Sequence, residues 1–235
     1  MKEFGVSLVM PVLNEQEIIA ETIRIFLKDL SGLFDKYELI IVNDASTDKT
    51  QSIVEQLVSE CPDKLKLINN SRNLGGGSSL LIGFKAARFP YIVTNFADRP
   101  FALPELKNIM PMFSKGADFV VVSRFDRSAN SLYRKLTSLV NYYLIKMLFR
   151  VNVGDFQFVQ VYKKSILENL LIKAKRTFVP PEIIIKALRR GYRMQEYKSR
   201  FYARSKGGSK CGHPKVIFAA LKDMFYCWWE LNREG

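Results

Sequence analysis

Histidine is nearly missing from the chain: one, His213, stands among 235 residues. A Ser–His–Asp or Cys–His mechanism would rest on that residue alone, and a histidine metal centre has nothing to assemble from. Cysteine is scarce as well. Cys61, Cys211 and Cys227 lie far apart with no CxxC pair, which argues against a disulfide framework and for a reducing, cytoplasmic setting. No run reaches the ~18 uncharged apolar residues of a membrane-spanning helix. The apolar stretch near the N-terminus covers about six residues, too short for the core of a secretory signal, and reads as a strand. Internal repeats, low-complexity segments and linker-like stretches are also missing, so residues 1–235 are expected to form one domain. Acidic residues are in deficit: 23 Asp and Glu face 36 Lys and Arg, a net charge of +13. The excess favours anionic partners, whether nucleic acid, phosphorylated substrate or an anionic membrane surface. No nucleic-acid module is recognisable, so nucleic acid is not expected among them.

What is present is a regular alternation. Short apolar runs at Ser7–Pro11, Glu38–Val42, Leu65–Asn69, Tyr91–Asn95 and Asp118–Ser123 read as buried strands. Helical patterns at Glu15–Lys28, Thr47–Val58, Gly77–Arg88 and Leu103–Ser114 separate them, with Ser46 or Thr47 expected to cap the second. This rhythm predicts an α/β fold, a mainly parallel sheet with helices on both faces. Beyond it the pattern predicts helices at Leu132–Phe149, Lys163–Lys173, Pro181–Arg190 and Val216–Asn232, and strands at Asp155–Tyr162 and Tyr192–Phe201. A basic, glycine-rich loop spans Ala203–Pro214.

Ligands of open parallel sheets bind beyond the carboxyl ends of the strands. Asn14, Glu15, Asp44 and Asp48 follow the first two strands and should share one rim. Gly75, Gly76 and Gly77 open a helix, where glycine lets backbone approach a phosphate or ribose and the helix start favours an anion; a tight strand–helix turn would need them equally. No GK[ST] follows, so this is not a P-loop. Asp98 follows the fourth strand and would suit a divalent ion on a diphosphate, or the cap of the next helix. Arg124, Arg134, Arg204 and Lys210 are the basic residues placed to grip phosphate, against the plain alternative of solvated surface charge. The last helix carries Phe218, Phe225, Trp228 and Trp229 with flanking Lys222 and Arg233, a composition that suits a membrane interface or packing on the domain.

Taken in order, these segments resemble a family 2 glycosyltransferase with the GT-A (Rossmann-like) fold, and within it the dolichol- or polyprenyl-phosphate sugar synthases. VMPVLNEQEII resembles the family's first strand and its P-x-x-N-E turn. IIVNDASTDKT resembles V-D-D-G-S-x-D-x-T, RNLGGGSSLLIGFKAA resembles N-x-G-x-G-x-A-x-x-x-G, and FADRPFALPEL resembles a D-A-D segment followed by P-E-L. VVVSRF resembles a G-S-R stretch, Tyr133–Asn141 resembles R-x-x-x-S-x-x-N, and RGYRMQEYKSRFYARSKGGSK resembles the closing G-Y-x-x-x-E…R-x-x-G-x-S-K.

The resemblance implies roles. Pro11, Leu13, Glu15, Asp44, Gly75 and Gly77 would bind the nucleotide. Asp98 would contact ribose or the metal, Mg²⁺ or Mn²⁺, on the diphosphate. Arg124, Arg134 and Arg204 would grip the diphosphate and the acceptor phosphate, with Ser138, Asp155 and Lys210 on the acceptor side. Residues 1–125 would form the nucleotide-binding half and 126–235 the acceptor-binding half. The implied activity is inverting transfer of a sugar from a UDP- or GDP-linked donor to a polyprenyl phosphate, by a protein peripheral on the inner face of a membrane. A saccharide or other soluble acceptor is the alternative, with Asp155 or Glu182 as base, and so is a nucleotide-binding pseudo-transferase. Three departures bear on this: Phe96 stands for the first Asp of D-A-D, and Asn43 and Ala45 stand for the first Asp and the Gly of D-D-G-S.

Overall fold

The structure is a computed structural model that describes residues 1, 3–124, 132–200 and 214–233, without the side chains of 132–138 and 214–217. Seven strands form one sheet in the order β3-β2-β1-β4-β6-β5-β7. They are β1 (Gly5–Val12), β2 (Lys36–Asn43), β3 (Leu65–Asn69), β4 (Tyr91–Thr94), β5 (Phe119–Arg124), β6 (Gln160–Lys163) and β7 (Met194–Ser199). All neighbouring pairs are parallel except those made by β6, which runs against β4 and β5. Six carboxyl ends therefore meet at one rim. The chain moves outward from β1 to β3, then returns to place β4 on the other side of β1. That reversal is a topological switch point, where open α/β sheets bind ligands.

Alternation along each strand divides the core. Val6, Leu8, Met10 and Val12 of β1, with Leu39 and Ile41 of β2, face α1 (Ile19–Leu33), α2 (Thr50–Glu60) and α4 (Leu106–Ser114). Val9, Ile40 and Val42 face the opposite layer, built from α3 (Gly76–Ala86), α5 (Leu132–Phe149), the short α6 (Lys164–Asn169), α7 (Val179–Arg189) and α8 (Pro214–Arg233). Both faces are buried, which is why the strands read as unbroken apolar runs.

Several boundaries differ from the sequence pattern for local reasons. The first helix begins at Ile19 rather than Glu15, after a turn in which the Glu15 and Gln16 amides donate to Thr50 Oγ1 (2.8 Å) and Asp48 Oδ2 (3.2 Å). Neither Ser46 nor Thr47 caps α2. The Thr50 amide donates to Asp48 Oδ1 at 2.9 Å, while Ser46 and Thr47 are drawn across to Asn14. The expected strand at Asp155–Tyr162 shortens to Gln160–Lys163, since the Asp155 carboxylate accepts the Gln157 amide (3.0 Å) and turns the chain.

Glu182, considered above as a base, is only 1% exposed. It accepts the Ala174 amide at 2.7 Å and pairs with Lys186, which also pairs with Glu230 of α8. A carboxylate enclosed in this way ties α7 to α8 and is not positioned to take a substrate proton. Burial alone would raise the Glu230 carboxyl, but hydrogen bonds from Lys173 and Lys186 outweigh it and hold that group below its ordinary range.

The Tyr162 ring lies against Phe84 and Phe119, and its buried hydroxyl has no hydrogen-bond partner among the described residues. Burial pushes its ionisation far above the ordinary tyrosine range. An unpaired buried hydroxyl costs about 1–3 kcal/mol. Tyr162→Phe is therefore expected to hold or raise the melting temperature, with an increase of up to about 1 kcal/mol in denaturant titration; a loss of stability would reveal a partner for the hydroxyl.

Candidate active site

The rim is built by turns that hold one another. After β1 the chain turns at Asn14, and after β2 at Ala45, both with left-handed backbone (φ 53° and 59°). The two turns interlock. The Asn14 amide donates to Ser46 Oγ (2.9 Å), while the Thr47 amide donates to Asn14 Oδ1 (2.7 Å). Next to them the Lys49 amide donates to Gln16 Oε1 (3.0 Å). Asp48 accepts from Thr50 and Gln16. Burial alone would raise its carboxyl, but the Thr50 side-chain and backbone bonds prevail and lower it.

Asp44 binds the next turn. Its carboxylate, 3% exposed, accepts the Leu74 amide (2.8 Å), the Gly75 amide (2.9 Å) and Asn70 Nδ2 (2.9 Å). One carboxylate thus holds the β3–α3 turn against the end of β2. Gly75 needs its glycine, with φ at 91°. Gly77 needs its glycine for a different reason than a nucleotide: a Cβ there would lie 1.9 Å from the Arg176 carbonyl oxygen. The Ser78 amide donates to the Lys175 carbonyl (2.9 Å), so the segment around Lys175 covers the start of α3. The backbone approach expected of an anion is made here by the protein itself.

At the switch point, the turn after β4 is equally fixed. Asn95 is fully buried. Its Nδ2 donates to the Phe101 carbonyl (3.0 Å) and its Oδ1 accepts the Phe96 amide (2.9 Å). Thr22 Oγ1 of α1 donates to the Ala97 carbonyl (2.8 Å). Asp98 is half-buried on this turn, and Arg99 pairs with Glu21 at 3.1 Å. Leu13 and Glu15, both half-buried, stand across the switch point after β1, with Pro11 half-buried near the end of that strand. Arg124 ends β5, two strands from β4 and so about 10 Å along the rim. Its Nε donates to Asp155 Oδ2 at 2.7 Å, and its guanidinium lies over the Phe158 ring. Glu196 of β7 accepts the Gly154 amide (2.8 Å) and steadies the loop that carries Asp155. Asp155 thus orients an arginine.

The predicted residues after β1, β2, β3 and β4 are brought together on one rim, and Arg124 with Asp155 extends it toward β7. Arg134 and Ser138 lie on α5, with side chains outside the description; Arg204 and Lys210 lie outside the described residues. The sequence reading assigned no role to Asn70 or Gln16, which hold the turns, and it met Glu196 only as the acidic position of the closing G-Y-x-x-x-E resemblance. Among the described residues no three His, Cys, Asp or Glu side chains gather to hold a metal ion, so Asp98 is one carboxylate rather than part of a cage. A cleft of about 480 Å³, lined by Glu38, Lys64 and Arg88 among others, opens at the opposite end of the sheet and contains none of the predicted site residues.

A family model described as Glycosyl transferase family 2 matches residues 7–171. The chain is 31% identical over 178 residues to undecaprenyl-phosphate 4-deoxy-4-formamido-L-arabinose transferase of Photorhabdus laumondii, covering 74% of this chain and 54% of that protein. The protein of the same name from Edwardsiella ictaluri is 26% identical over 214 residues, covering 90% and 64%. The chain therefore spans between about half and two-thirds of the length of these relatives. In structure it resembles glucosyl-3-phosphoglycerate synthase from Mycobacterium tuberculosis, solved with Mn²⁺, uridine diphosphate and phosphoglyceric acid: TM-score 0.72, 18% identity, 96% of this chain and 79% of that one.

Two variants test the rim. Ala45→Gly should stabilise the protein by about 1 kcal/mol, because a left-handed backbone is strained for alanine and free for glycine. Asp44→Ala should destabilise it by about 2–4 kcal/mol by stranding the Leu74 and Gly75 amides, with faster amide exchange at both.

Proposed function

Because the chain belongs to glycosyl transferase family 2 and has the GT-A fold, we propose that it is an inverting glycosyltransferase that moves a sugar from a UDP- or GDP-linked donor to a polyprenyl phosphate at a membrane surface. Residues 1–235 act as one unit, the donor in the half 1–125 and the acceptor in the half 126–235. One observation carries the reading: the turns after β1 and β4 flank the switch point, with Leu13 and Glu15 on one side and Asp98 on the other. The names of the relatives support the polyprenyl phosphate.

In the reaction an acceptor phosphate oxygen attacks the anomeric carbon from the face opposite the leaving group. The new carbon–oxygen bond forms as the bond to the nucleoside diphosphate breaks, and the electron pair leaves with the diphosphate. No proton need move, since a phosphate oxygen is already ionised near neutral pH. This agrees with an Asp155 committed to Arg124 and a Glu182 committed to Lys186. Arg124, with Arg134 and Arg204, meets phosphate charge, and Pro11, Leu13, Glu15, Asp44 and Gly75 hold or shape the nucleotide pocket. Ser138 and Lys210 complete the acceptor side. A divalent ion, Mg²⁺ or Mn²⁺, would be held by Asp98 together with the donor phosphates and would neutralise the departing charge; a single carboxylate fits a cation that arrives with a diphosphate.

The surface supports a lipid acceptor. α5 exposes Val140, Tyr143 and Met147, and α8 exposes Phe218, Phe225 and Trp229. Lys222 and Arg233 border the second group. Amphipathic helices of this composition lie in the headgroup region of anionic membranes. No helix among the described residues is long and apolar enough to cross a membrane.

Transfer of radiolabelled sugar to undecaprenyl phosphate in anionic vesicles tests the proposal, with UDP- and GDP-linked donors compared. Asp98→Ala should lower turnover about 10²–10³-fold, the usual cost of losing one electrostatic contact to developing charge. Full activity in that variant would remove Asp98 from the mechanism, and transfer only to soluble acceptors would replace the lipid.

A further inference from the structure

Phe96 has an unusual position for an aromatic residue. It is half-buried at the switch point, yet among the described residues it packs in neither of the two apolar clusters that fill the faces of the sheet. Its neighbours Ala97 and Phe101 both join the α1–α4 cluster. Leu13, across the switch point, shares this standing: half-buried, and in neither cluster.

The ring is carried by a turn that cannot easily move. The Phe96 amide donates to Asn95 Oδ1 at 2.9 Å, its carbonyl accepts the Arg99 amide at 3.0 Å, and Ala97 is anchored to Thr22. Two half-buried apolar residues thus stand on the two turns that border the switch point, outside both apolar clusters of the described residues. Ligand pockets are commonly lined by such surfaces, with a few polar groups fixing orientation.

The same turn is poor in oxygen ligands. A phenyl ring supplies none, and the Asn95 amide is spent within the turn. Asp98 is the one carboxylate among residues 95–99. What this turn can offer a nucleotide is therefore mainly a ring face, and stacking on a ring face needs no cation.

We propose that Phe96, with Leu13 opposite, is a specificity-determining residue of the donor site: its ring packs on the nucleoside half of a nucleoside diphosphate and makes binding less dependent on a divalent ion than an aspartate at this position would. The proposal rests on the donor-site reading above.

Calorimetric titration of the full chain with UDP and with GDP, each in EDTA and in Mn²⁺, tests it. Phe96→Ala should weaken binding of the preferred nucleotide about ten-fold in EDTA, the scale of one lost stacking contact, and Phe96→Leu should weaken it less. Phe96→Asp should bind as weakly as Phe96→Ala in EDTA and recover in Mn²⁺, so that its affinity responds to metal more than the wild type's does. Thermal melts of all three should stay near wild type, because the side chain lies outside both clusters. Wild-type binding that Phe96→Ala leaves unchanged, or an aspartate variant no more responsive to metal than wild type, overturns the assignment of Phe96 and leaves the donor site standing. A wild type that binds neither nucleotide overturns both.

Discussion

The carboxylate of Asp44 joins parts of the chain that are 30 residues apart, since its two oxygens take the amides of Leu74 and Gly75. Strand pairing aligns β1, β2, β3 and β4, but pairing alone leaves the turns beyond the rim free to splay. The Asp44 bonds, with the interlock of Asn14, Ser46 and Thr47, turn three loops into one wall. Such bonds are strong because the acceptor is charged and largely shielded from water. Of the residues assigned here to the nucleotide, Leu13, Glu15, Asp44 and Gly75 stand on this wall and Asp98 on the β4 turn. Preorganisation of this kind spares a ligand the entropy of ordering loops on arrival.

The second half of the chain is held by a different device. Lys186 lies between Glu182 and Glu230 and couples α7 to α8. Close to this cluster, the segment around Lys175 and Arg176 packs on the start of α3 at Gly77. The exposed aromatic face of α8 is therefore connected through a short run of backbone to the glycine turn that Asp44 holds. A buried ionic cluster contributes little net stability but sets one geometry, because breaking any pair leaves a charge without a partner.

Much of this was legible in the sequence because strand burial and chain order are local signals. Ser7–Pro11 and Glu38–Val42 read as strands from their apolar runs alone, and Leu132–Phe149 as a helix from its length and apolar and basic pattern. The rim position of Glu15, Asp44 and Asp98 followed from strand ends without any knowledge of contacts. What could not be read was the use made of each side chain. Glu182 looks like any helix carboxylate until Ala174 and Lys186 close over it. Gly77 resembles a phosphate-approach glycine until the Arg176 carbonyl is found against it, 99 residues downstream in sequence. Asp155 reads as a free acid, and only the fold brings Arg124 to it. These are long-range pairings, set by how α7 and β5 pack, and no periodicity encodes them.

The central claim is that the donor occupies the crevice between the β1 and β4 turns, and amide hydrogen exchange with and without UDP or GDP in the presence of Mn²⁺ addresses it most directly. The account predicts slowed exchange at Leu13–Glu15, at Asp44–Ala45 and at Phe96–Arg99 with one of the two nucleotides. Unchanged exchange in all three turns, with protection instead around Lys64 and Arg88 at the opposite end of the sheet, would contradict it.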